Sequence, residues 1–128
     1  MIDKRLLKIA SNTKFYGLKN IYTYKTNLKN SICGDKISIE ISLKKNTIQE
    51  LRYETEACIF CQASASTLAN IAKNTNLGDL KKNLSKYLNF SKKVPKKFNN
   101  LTYLLKEKYM NRKDCILLPF KAFYKAIK

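Results

Sequence analysis

The stretch "KISIEISLK", residues 36–44, alternates without a break. Ile37, Ile39, Ile41 and Leu43 fall on one side, and Ser38, Glu40 and Ser42 on the other. A period of two fits a β-strand and no helix, so this segment forms a strand with one buried face. Its neighbours extend it into a sheet. "IYTYKTNL" (residues 21–28) is β-branched and aromatic, and "IQELRYET" (residues 48–55) sets Leu51, Tyr53 and Thr55 on a common face. "KKNT" between the last two reads as a turn. Connections this short predict an antiparallel meander with one solvated face.

Beyond residue 60 the period changes. "QASASTLANIAK" (62–73) is a helix of small residues, able to lie close against a sheet. "LGDLKKNLSKYL" (77–88) places Leu77, Leu80, Leu84, Tyr87 and Leu88 at helical spacing, and "FNNLTYLLKEKY" (98–109) repeats this with Phe98, Leu101 and Leu105. "SKKVPKK" (91–97) separates these two, because Pro95 cannot continue a helix. "PFKAFYKAIK" offers Pro119 at a helix start, with Phe120, Phe123, Tyr124 and Ile127 on one stripe. There is no internal repeat and no linker. Strands followed by helices predict an α+β fold: a three-stranded antiparallel sheet with helices packed on one face, in one domain spanning residues 1–128.

The chain carries 26 Lys and Arg against 9 Asp and Glu, no histidine, and a formal charge of +17. That charge suits a polyanion partner, and a basic nucleic-acid-binding adaptor is one reading. Two features oppose it. The lysines are scattered and accompany no nucleic-acid-binding motif. The richness in Lys, Asn, Ile and Tyr is also what A/T-rich codons impose. No segment reads as a secretory signal or a membrane span, so a cytoplasmic protein without a membrane partner is expected. In that compartment cysteines serve as ligands or nucleophiles more often than as disulfides.

The four cysteines then matter. Cys33 precedes the second strand on a loop with Gly34 and Asp35, Cys58 follows the third strand, and Cys115 stands a few residues before the last helix. In an antiparallel meander the start of strand two and the end of strand three share a sheet edge, which brings Cys33 and Cys58 together. Strand-to-helix turns present backbone N–H groups and a partial positive charge, both favourable to thiolates. Cys61, one helical turn after Cys58, reads as a small core hydrophobe. "CIFC" could also be a redox CxxC, but it lacks the βαβ context of such sites.

"NSICGDKISIEI", "ACIFCQASAS" and "RKDCILLPFKA", in this order, resemble the iron–sulfur cluster scaffold family of the NifU N-terminal/IscU type, and more narrowly its SUF-type branch, SufU. "SNTKFYGLKN" is similar to the segment before that family's first strand, so the likeness runs from about Asn12 to Ile127. Cys33 with Asp35, Cys58 and Cys115 stand at the family's site positions, and Arg112 matches an arginine upstream of the last cysteine. Cys61 falls where the family commonly has serine and is not counted as a ligand. Asp114 replaces the histidine of ISC-type scaffolds, no Leu-Pro-Pro-Val-Lys motif is present, and an extra helical segment lies around 77–98; all three departures favour the SUF type. Ala57 stands where the family usually has glycine, which implies a slightly altered turn.

The resemblance implies a NifU-like fold, zinc on Cys33, Asp35, Cys58 and Cys115, and a pyridoxal-phosphate cysteine desulfurase (SufS-like) as partner. Three thiolates and one carboxylate suit tetrahedral Zn²⁺, and Asp35 is the hard, most exchangeable ligand of the four. The protein is then a sulfur acceptor and carrier more than a conventional enzyme. Cys33 is the expected persulfide acceptor and Cys115 its rival, with a downstream scaffold or apo-proteins receiving the sulfur or cluster. In an alternative role Cys33, Cys58 and Cys115 assemble a transient [2Fe–2S] cluster.

Overall fold

The computed structural model describes residues 3–31, 34–88 and 98–127. Cys33 and the "SKKVPKK" separator lie outside them. Helix α1 (Lys4–Ser11) opens the chain, followed by strands β1 (Tyr24–Lys29), β2 (Lys36–Lys44) and β3 (Thr47–Glu56). Then come α2 (Ile59–Ala72), a two-residue strand β4 (Thr75–Asn76), α3 (Leu77–Leu88), α4 (Asn99–Leu104), a 3₁₀ segment (Glu107–Arg112) and α5 (Lys113–Ala126). The α+β class and the antiparallel order β1-β2-β3 agree with the sequence reading. The expected three strands become four, because Thr75 and Asn76 pair with Ile48 and Thr47 at the edge of β3. A two-residue strand carries no periodic signal, so nothing in the sequence marks it.

Register explains the core. Ile37, Ile39 and Ile41 are buried as the alternation requires. Between β2 and β3 the pairing shifts from Ser42↔Glu50 to Leu43↔Ile48, leaving Gln49 as an extra residue. This bulge reverses the alternation, so Ile48 and Leu51 both reach the core although they are three apart. Between β2 and β3, Lys45 turns the chain with φ +57°. The opposite face is not simply solvated. Segment 15–17 pairs in parallel with the free edge of β3 at Tyr53. The chain then crosses the sheet, and Glu40 Oε1 accepts the Lys19 and Asn20 backbone N–H groups at 2.9 and 3.1 Å. Glu40 is consequently buried.

Helix α2 is the hub. Its small residues Ala63, Ser64, Ala65 and Ala69 are all buried, which lets β3, α1 and α5 approach it from different sides. Leu80 and Leu84 bury the apolar stripe of α3. The long helix expected over 98–109 divides into α4 and the 3₁₀ segment. Pro119 is not a helix start, because α5 begins six residues earlier at Lys113 and Pro119 sits inside it. Having no N–H, Pro119 cannot itself donate within the helix.

Candidate metal centre

Three described residues of the expected set meet at one sheet edge. Lys36 at the start of β2 pairs with Glu56 at the end of β3, so Asp35 and Cys58 project from adjoining chain ends. Gly34 makes the turn before them, with φ +78° and its N–H on the Asn30 carbonyl at 2.8 Å. Asn30 N–H in turn donates to the Asp35 carbonyl at 2.8 Å, which fixes the backbone of the acid. Cys58 is the N-cap of α2, yet its side chain makes no capping bond. Its thiol donates instead to Asp35 Oδ2 at 3.6 Å. Ala57 is not among the described residues of positive φ, so the turn works without glycine there.

Cys115 arrives from the other end of the chain. It occupies the first turn of α5, and not a loop before it as the sequence suggested. The buried Ser64 hydroxyl holds the next residue by donating to the Ile116 carbonyl at 2.5 Å, tying α5 to α2. One ligand atom each from Asp35, Cys58 and Cys115 lie within 4.8 Å of one another. Cys61 is fully buried in the hydrophobic core and outside this cluster. Arg112 is not a candidate ligand, and its guanidinium lies 5.7 Å from the centre of the Phe60 ring.

The donors fit a soft divalent cation. Tetrahedral ligands about 2.0–2.3 Å from an ion stand about 3.3–3.8 Å apart, and the Cys58–Asp35 separation of 3.6 Å falls in that range. The N-termini of two 14-residue helices converge here, and their partial positive charge favours thiolates. Against this, burial pushes the Cys115 thiol far above its ordinary range, reinforced by the adjacent Asp35 and Cys58. A cation among the three donors would offset that penalty on Cys115. A cavity of about 680 Å³ lies elsewhere, between α1, α2 and Asn100. Sequence reasoning missed Ser64 as the strap of Cys115; its only signal was a small polar residue in a helix of alanines.

Solved structures share this arrangement of elements. The N-terminal part of a NifU-like protein from Brucella abortus superposes with a TM-score of 0.81 at 22% identity, covering 98% of this chain and 90% of that one. A putative iron–sulfur cluster assembly scaffold protein for the SUF system from Fervidobacterium islandicum gives 0.79 at 20% identity, covering 99% and 96%. In sequence, the NifU-like N terminal domain family matches residues 4–115, and the chain belongs to that family. The chain is 26% identical to the iron–sulfur cluster assembly scaffold protein IscU of Thermotoga maritima, over all of its own length and 93% of that protein. A Borreliella burgdorferi protein is 29% identical over 72% of the chain and 66% of its own length. Among the described residues no helix is long and apolar enough to cross a membrane.

Proposed function

We propose that the chain is a cytoplasmic iron–sulfur cluster assembly protein of the SUF type. In this reading it accepts sulfur from a pyridoxal-phosphate cysteine desulfurase and passes it to a downstream scaffold or apo-protein. The observation that carries this is the convergence of Asp35, Cys58 and Cys115 at one sheet edge. Family membership and the named role of the T. maritima relative support the cluster-assembly part. The resident metal is zinc, held by these three residues and Cys33. Bound there, zinc would lower the thiol pKa values and keep the sulfurs as thiolates, the attacking form in sulfur exchange.

The chain's own residues divide the remaining work. Asp35 offers a hard oxygen among soft sulfurs and is the ligand that exchanges most readily. Cys58 and Cys115 are held by helix starts, and Cys115 is buried, which suits anchoring more than attack. Cys33 is the acceptor, next to the turn at Gly34. Its thiolate attacks the outer sulfur of the desulfurase persulfide. A new S–S bond forms on Cys33 as the old one breaks, and the desulfurase cysteine leaves as a thiolate.

A second reading keeps the same thiols and changes the cargo: Cys33, Cys58 and Cys115 assemble a [2Fe–2S] cluster and hand it on. The scaffold name of the T. maritima relative favours it. Metal and acid-labile sulfide analysis of anaerobically purified protein separates the two. One zinc per chain without sulfide, lost in Asp35→Ala, is the expected result. Iron with matching sulfide moves the assignment to the second reading, and neither metal contradicts both and revives the basic adaptor.

A further inference from the structure

Asp3 has no part in the site described above, yet it collects more polar contacts than a helix cap requires. Its Oδ1 accepts the Leu6 N–H at 2.9 Å and caps α1. Its Oδ2 faces a different part of the chain: the Tyr109 hydroxyl donates to it at 2.8 Å, the Lys108 ammonium at 2.9 Å, and the Tyr103 hydroxyl as well. Tyr103 lies in the last turn of α4, and the other two belong to the 3₁₀ segment. The two tyrosine rings meet edge to face at 6.0 Å. Arg5 stacks over Tyr103 at 4.2 Å and Lys108 at 5.0 Å, so cations enclose the corner that the carboxylate holds together.

From this corner the contacts run inward to the thiols. Tyr109 is fully buried, and its ring stands 5.1 Å from Phe60 in an edge-on pair. Phe60 lies two residues beyond Cys58 in the first turn of α2 and carries Arg112 over its ring. Arg112 ends the 3₁₀ segment, which runs directly into α5 and reaches Cys115 three residues later. We propose that Asp3 is a positioning residue for the metal centre: its carboxylate locks the Tyr103–Tyr109 corner, and that corner sets where Cys115 stands relative to Cys58 and Asp35. The proposal rests on the reading of those three residues as a ligand set. A cap alone needs one oxygen, and nothing in α1 calls for the other.

Asp3→Asn separates the two jobs. Asparagine caps a helix as well as aspartate, but its amide turns an N–H donor toward three donors. Tyr109→Phe keeps the ring on Phe60 and removes one hydroxyl. In the reduced, metal-free chain, iodoacetamide labelling read by peptide mass spectrometry compares Cys115 with Cys61, which a general loosening would expose equally. Zinc affinity is read by chelator competition. Asp3→Asn is expected to speed Cys115 labelling and weaken zinc binding by about tenfold each, as outer-shell losses do, with Cys61 protected as before and Tyr109→Phe intermediate. Unchanged Cys115 labelling, or Cys115 and Cys61 rising together, overturns the proposal. If the wild type binds no zinc, the ligand reading fails, while the labelling contrast still decides whether Asp3 holds Cys115.

Discussion

At Gly34 the backbone stands at φ +78°, and an added Cβ would meet nothing within 4 Å. The cost of a side chain there is therefore conformational and not steric. Gly34→Ala is expected to lower stability by about 1–2 kcal/mol, read as a shift in the urea midpoint at constant slope. An unchanged midpoint would mean that the turn before Asp35 relaxes freely. The sequence placed Gly34 on a loop with Cys33 and Asp35 but did not mark its positive φ. Cys61 was legible, as a thiol one turn into a helix of small residues, and it is buried in the core. Glu40 was not. Its place in the alternation put it on the open face, whereas the backbone N–H groups of Lys19 and Asn20, from a loop without periodicity, and the Lys25 ammonium at 3.8 Å accompany its burial.

At the scale of elements, β2 and α3 follow their apolar periods closely, because burial against a neighbour is what those periods encode, whereas α2 is buried nearly all round. The start of α5 does not. Proline is favoured in a helix's first turn, and that preference pointed to Pro119, whereas the helix begins at Lys113 and carries Cys115 in its first turn. Tertiary packing on α2 decides the matter, with the Ser64 hydroxyl on the Ile116 carbonyl as its polar strap. Ser64→Ala leaves that buried carbonyl without this donor and is expected to cost about 1–3 kcal/mol in urea unfolding. The same variant should label faster at Cys115 than at Cys61. No stability change would show that α5 is seated by its apolar face alone.

Across the whole molecule, the first and last thirds of the chain are joined at Asp3, and nothing in the sequence announced this, since its partners lie a hundred residues away. Hydrogen bonds from Tyr103 and Lys108, then from the Leu6 N–H, hold the Asp3 carboxyl well below the usual carboxylate range. A depressed pKa adds stability that is complete above the unfolded value of about 3.9, declines below it, and is gone once pH has fallen through the folded value. Asp3 faces Tyr103, Lys108 and Tyr109, with Arg5 stacked on Tyr103. A carboxyl-detected NMR titration is thus expected to find Asp3 still ionised at a pH where free carboxylates have protonated; a midpoint near the ordinary value would contradict the contacts. The central claim concerns the ligand set, and zinc K-edge absorption fine structure of the zinc-loaded full chain tests it most directly. Three sulfurs at about 2.3 Å and one oxygen at about 2.0–2.2 Å are predicted, from Cys33, Cys58, Cys115 and Asp35. Four sulfurs would bring in Cys61 and dismiss Asp35, and a shell of oxygen and nitrogen alone would contradict the account.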